Sequence, residues 1–113
     1  MAQYAKYQII QIPSAITRIG HADYPRPFLI VEVADPVMYV MAISTKIDTF
    51  FDENRDFYID DMESGFDTTG LTETSFVKNQ EFRVDSRLTL RVLGYLSGDI
   101  LERFESFAHR FDL

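Results

Sequence analysis

Two apolar runs, residues 28–33 and 37–43, stand three residues apart, and no other feature constrains the fold as tightly. Short runs rich in β-branched and aromatic residues, bounded by turn signals, read as strands. Ala34-Asp35-Pro36 between them is such a signal, so residues 27–34 and 37–43 are expected to form a hairpin. Pro25 and Pro27 flank Arg26 just before the first run. Pro27 disfavours the helical region for Arg26, and neither proline can donate a ladder hydrogen bond. Arg26 is thus held extended at a strand start. The second run ends in Ser44-Thr45-Lys46. The hairpin therefore carries a fixed cation and two hydroxyls on adjacent strands, a stiff mount for groups that meet a phosphate. The plain alternative is a surface arginine paired with a carboxylate such as Asp23.

The rest of the chain supports one domain, residues 1–113, with mainly β structure. Residues 4–12 read as a first strand, 13–25 as a loop and 44–56 as a loop with room for a helical turn. Residues 57–59 read as a short strand. Residues 75–78 and 81–84 read as strand pieces around Asn79-Gln80. Residues 87–93 alternate, with Leu88, Leu90 and Val92 on one face. Ile100, Leu101, Phe104, Phe107, Ala108 and Phe111 then recur at helical spacing, predicting an amphipathic helix over about 98–111. Ser97 is placed to cap its start, with His109 and Arg110 near its end. The expected fold is α+β: a small, strongly bent antiparallel sheet or partly open SH3-like barrel, closed on one side by that helix.

Charge needs a local reading. The chain carries −7 overall, and residues 48–67 hold eight acids against one base, Arg55, which accounts for all of it. The remaining ten acids and ten bases cancel. Screening confines such a field to about 8–10 Å, so an acidic segment leaves room for a basic groove elsewhere. The segment reads first as a solvated loop; the sharper readings are a surface that blocks an RNA groove or docks a basic partner. It lacks the alternating ligands and pivot glycine of a calcium loop. There is no cysteine, and the two histidines lack ligand spacing, so no metal or cofactor is expected. The first residues, MAQYAKYQII, show no long apolar stretch with a cleavage site, which with the absent cysteine points to a cytoplasmic protein without a membrane span.

Several pieces together resemble the MazF/PemK/Kid toxins of bacterial toxin–antitoxin pairs. Gly20-His21 followed by Arg26-Pro27 is similar to that family's Gly-rich loop and Arg-Pro. Ala42-Ile43-Ser44-Thr45 is similar to its strand end, where a threonine is usual. Gly70, Ser75 and Asn79-Gln80 follow its Gly, Ser and Gln spacing. Residues 83–88, Arg-Val-Asp-Ser-Arg-Leu, and then Gly94-Tyr95-Leu96 resemble its later motifs. The chain departs from the family in Ala5-Lys6-Tyr7-Gln8, where a basic residue, Gly and Asp are usual, and in its acidic segment.

The resemblance implies a CcdB-type, SH3-like fold and a metal-independent endoribonuclease acting on single-stranded RNA, as a homodimer neutralised by an antitoxin. Such cleavage needs a base for the 2′-hydroxyl, a cation for the phosphoryl oxygens and an acid for the leaving oxygen. By resemblance Arg26 is the phosphate clamp and a candidate acid, with Ser44 or Thr45 donating to the same phosphate. His21 is the proton carrier that titrates near neutrality, though as a loop residue it also reads as simply solvated. Asp85 with Arg83 forms a further catalytic pair, while Lys46, Arg83 and Arg87 are expected to contact RNA. Asp85 also reads as a turn residue with a local ion pair. The alternative from another class is the same fold used for binding alone, as a topoisomerase poison or nuclease-dead regulator.

Overall fold

The structure, a computed structural model, describes residues 3–13 and 26–113. His21 and Asp23 lie outside the described residues. In chain order the elements are β1 (Gln8–Ile12), β2 (Arg26–Ala34), β3 (Val37–Ser44), α1 (Ile47–Phe50), β4 (Phe57–Ile59), a 3-10 turn (Phe66–Thr68), β5 (Ser75–Asp85), β6 (Arg91–Tyr95) and α2 (Gly98–Arg110). The strands form one six-stranded sheet in the order β4-β5-β3-β2-β1-β6, every neighbour antiparallel. It curls into a half-barrel with α2 against it, the mainly β, SH3-like architecture the sequence predicts.

Why β2 and β3 are apolar almost throughout is now plain: the sheet has a core on each face. Leu29, Val31, Met41 and Ile43 face α2 and meet Ile100, Phe104 and Phe107. Phe28, Ile30, Met38, Val40 and Ala42 face the other way, onto Tyr4, Ile12 and Val84. A strand buried on both faces has no polar side to alternate with. The bend comes from irregular registers at Ile30/Glu32 in β2, Ile9/Ile10 in β1 and Met41/Ile43 in β3, since an extra residue in one strand kinks and twists the ladder.

Three elements differ from expectation. The first strand begins at Gln8, because Tyr7 turns to φ 74°. Tyr4 stands apart from the ladder, buried in the second core. The two pieces around Asn79-Gln80 are one strand, β5, with the polar pair absorbed as a bulge: Met41 pairs Glu81, whereas Ile43 pairs Val77. The last strand is β6, starting at Arg91, so residues 87–90 are not strand. There the Tyr4 hydroxyl donates to the Leu88 carbonyl and accepts the Leu90 N–H at 2.6 Å, in place of a ladder. Leu88 and Leu90 pack on the second core, and Val92, opposite Ile10 of that core on the edge strand, is 45% exposed.

Helix α2 lies where its periodicity put it. Ser97 sits at the N-cap, but its hydroxyl lies 2.6 Å from the Thr68 hydroxyl and caps nothing. The Ser64 carbonyl accepts the Ile100 N–H instead, at 3.2 Å. Backbone meets backbone along this seam. A Cβ on Gly94 would come within 2.1 Å of the Thr68 oxygen, so only glycine fits. No helix among the described residues is long and apolar enough to cross a membrane.

Phe104 is the keystone of the α2 contact: it is fully buried, with Phe57 edge-on at 5.0 Å and Tyr7 edge-on at 5.8 Å. Phe104→Ala is expected to cost about 3–5 kcal/mol, read from urea denaturation midpoints at unchanged slope.

Candidate phosphate-binding cavity

Strand register brings the predicted residues together. Phe28 pairs Ala42, and continuing that register two places sets Arg26 across from Ser44. Arg26 and Pro27 open β2 as Ser44 closes β3, and the chain runs on through Thr45 and Lys46. All five line one cavity of about 260 Å³. Ile43 and Leu93 give it an apolar wall, and Gly70 and Thr72 from the segment before β5 close it with Ser75, the first residue of that strand.

Local geometry prepares these groups. The Lys46 backbone N–H donates to Ser44 Oγ at 3.1 Å, so the oxygen is anchored as an acceptor while its O–H serves as a donor. Thr45 and Lys46 are exposed at the strand end. Gly70 shapes the opposite lip. Its φ is +76°, and a Cβ there would come within 2.2 Å of the Leu93 carbonyl. Any side chain would push the lip away from β6. Two cations and several hydroxyls in a partly apolar hollow are suited to an oxyanion, since each guanidinium or hydroxyl donor strengthens as water is excluded. None of the described residues lining the cavity is Asp, Glu or His.

The other predicted residues lie elsewhere. Asp85 pairs Val37, seven residues along β3 from Ser44, which is about 23 Å at strand rise. Arg83 pairs Tyr39 and holds its guanidinium 6.0 Å from that ring. Arg87 turns back on Asp85 as a fork, with Nε and Nη2 donating at 2.9 and 2.8 Å. The structure thus makes Asp85–Arg87 a turn closed by a local ion pair, at the opposite end of the sheet from Arg26. It does not join Asp85 to Arg26 and Ser44.

The acidic segment is more structured than a solvated loop. Asp56 is buried, and its carboxylate takes the Lys78 amine at 3.0 Å, the Asp52 N–H at 2.9 Å and the Asn79 N–H at 3.0 Å. Asn79 has that N–H to give because the β5 bulge takes it out of the ladder. Arg103 on α2 pins the far end through Glu63 at 2.6 Å and the Tyr58 carbonyl at 2.7 Å. The sequence signals were the Asp directly before residues 57–59 and the polar pair inside β5, but neither spacing specifies the pairing.

A second cleft of about 580 Å³ shares Thr45 and Lys46 with the first, and Asp48, Asp61 and Glu73 lie on its rim. Among the described residues no group of three or more His, Asp or Glu is placed to hold a metal ion. Compared with known proteins, the chain matches no family model and no curated protein at a significant level.

The Arg87 fork stabilises the Asp85 carboxylate and lowers its pKa from 3.8 to about 2. A pKa depressed on folding gives stability that is present above the unfolded value and lost as pH falls through the folded one. A carboxyl-detected NMR titration should place Asp85 near 2 in the wild type. In Arg87→Ala it should rise toward the ordinary carboxylate range, with the residue 87 backbone N–H still holding it somewhat lower.

Proposed function

We propose that the chain is a toxin-type endoribonuclease that cleaves single-stranded RNA without metal in the cytoplasm, arrests growth, and is neutralised by a cognate antitoxin. The observation that carries this reading is the convergence of Arg26, Ser44, Thr45 and Lys46 on one cavity. The MazF/PemK resemblance of the sequence is a second support, and it extends to a homodimer with RNA in a groove between the copies.

The chemistry follows from the groups. Arg26 holds the scissile phosphate through its non-bridging oxygens, and Ser44 or Thr45 donates to the same phosphate. The RNA 2′-oxygen gives up its proton and attacks phosphorus, the bond to the 5′-oxygen breaks as that oxygen takes a proton from Arg26, and a 2′,3′-cyclic phosphate forms. Charge on the phosphoryl oxygens grows in the transition state, where Arg26 and Lys46 act most strongly. His21 precedes Arg26 by five positions and is the chain's best carrier for the proton leaving the 2′-hydroxyl.

A second reading, a binding module without nuclease activity, is favoured by one observation. No carboxylate or imidazole is among the described residues that line the cavity.

The deciding experiment is incubation of a long single-stranded RNA with the protein in EDTA, with circular dichroism to verify folding of each variant. Wild type is expected to give defined fragments ending in cyclic phosphate. Arg26→Ala and the Ser44→Ala/Thr45→Ala variant should each lose about 10²–10³-fold in rate. Intact RNA after incubation with folded, antitoxin-free protein would overturn the nuclease reading and leave the binding module.

A further inference from the structure

The cleft beside the Arg26 cavity has its own chemistry. Tyr58 supplies an aromatic face that is 38% exposed, braced by Phe51 with ring centroids 5.6 Å apart. Asp61 and Glu73 both line this cleft with Tyr58, just beyond the end of the β4–β5 ladder at Ile59 and Ser75. Thr74 Oγ1 accepts the Asp61 backbone N–H at 3.0 Å and ties the two segments at that point. Carboxylates gathered on one cleft repel, so a ligand that donates N–H groups to them is favoured. A phosphate cannot do this. An exocyclic amine on a nucleobase can, and bases splayed from single-stranded RNA are read by stacking and by hydrogen bonds to their edges.

The two clefts adjoin through Thr45 and Lys46, one cationic and one anionic. A nucleotide has the same polarity, with an anionic phosphate joined by its sugar to a base edge that donates. Guanine fits best because N1–H and the N2 amine share one edge. Cytosine and adenine offer one amine each, whereas uracil turns two carbonyl oxygens toward the carboxylates. We propose that this cleft is a base-recognition subsite that stacks an amino-bearing base on Tyr58, reads its amine with Asp61 and Glu73, and excludes uracil. The inference rests on the reading of the Arg26 cavity as a phosphate holder. It gives part of the acidic segment a role in an RNA-binding protein, which net charge alone argues against.

The test is fluorescence anisotropy with two labelled deoxy-oligonucleotides, which lack the attacking hydroxyl. One is a short all-dT strand, whose bases present the uracil edge; the other carries a single central dG. Wild type should bind the dG strand about tenfold more tightly, the discrimination expected of a good paired base contact. Tyr58→Ala and the Asp61→Asn/Glu73→Gln variant should remove the difference, while Arg26→Ala should weaken both strands alike. If the carboxylates act only as repelling charge, their removal will strengthen both strands equally and keep the ratio, which overturns the subsite. Equal binding of both strands by wild type overturns it too, but leaves the Arg26 reading standing. Binding of neither strand by folded protein overturns that reading and the subsite with it. Capture of a lysine-rich peptide instead, lost in Asp61→Asn/Glu73→Gln, would assign the cleft to a basic protein partner.

Discussion

Burial of the β2–β3 pair on both faces is the constraint on which the rest depends. Leu29 and Met41 look toward α2 while Phe28 and Ala42 look away, and all four are enclosed. A slip of one residue would exchange the two sets and set each against the wrong core, so the register is specified from both sides. That register brings Arg26, at the first residue of β2, across from Ser44, at the last of β3. Pro27 adds a fixed φ at the one place where the ladder can do without an N–H. The cavity is thus held by the best-packed part of the molecule, and its donors are positioned before any ligand arrives.

The same sheet separates charge. Its Arg26 end gathers two cations and several hydroxyls; the far end carries the self-satisfied Asp85–Arg87 fork. The acidic segment is attached along a third side by Asp56 and Glu63, each with a basic partner on β5 or α2. Long-range repulsion of a polyanion is a surface term, falling off within a Debye length. Donors inside a partly apolar hollow act at contact distance, where they are worth more. A net charge of −7 and a cavity lined by two cations therefore coexist without contradiction.

Much of the fold was legible because its signals are local. The apolar runs at 28–33 and 37–43, the turn at Asp35-Pro36 and the helical stripe from Ile100 to Phe111 each follow from periodicity and turn chemistry. The misreadings involve contacts remote in sequence. Residues 87–90 alternate like a strand, but Tyr4 supplies their hydrogen bonds from the other end of the chain. Asn79-Gln80 looks like a break, but Asp56 takes the N–H that the bulge frees. For the site, Arg26 and Ser44-Thr45-Lys46 were readable because hairpin geometry joins them. Gly70, Thr72 and Leu93 were not, since the loop that brings them in is set by backbone contact along the Gly94 seam. Asp85 was drawn toward the site by motif order, which carries no information about which end of a strand a residue occupies.

The proposed function requires that a phosphodiester bind at the end of the sheet where Arg26 faces Ser44. An amide NMR titration with a short uncleavable oligonucleotide tests it most directly. The account predicts shifts at Arg26, Ser44, Thr45, Lys46 and Gly70, with Asp85, Ser86 and Arg87 undisturbed. Shifts centred on the Asp85–Arg87 turn or on α2, with the Arg26 end silent, would contradict it.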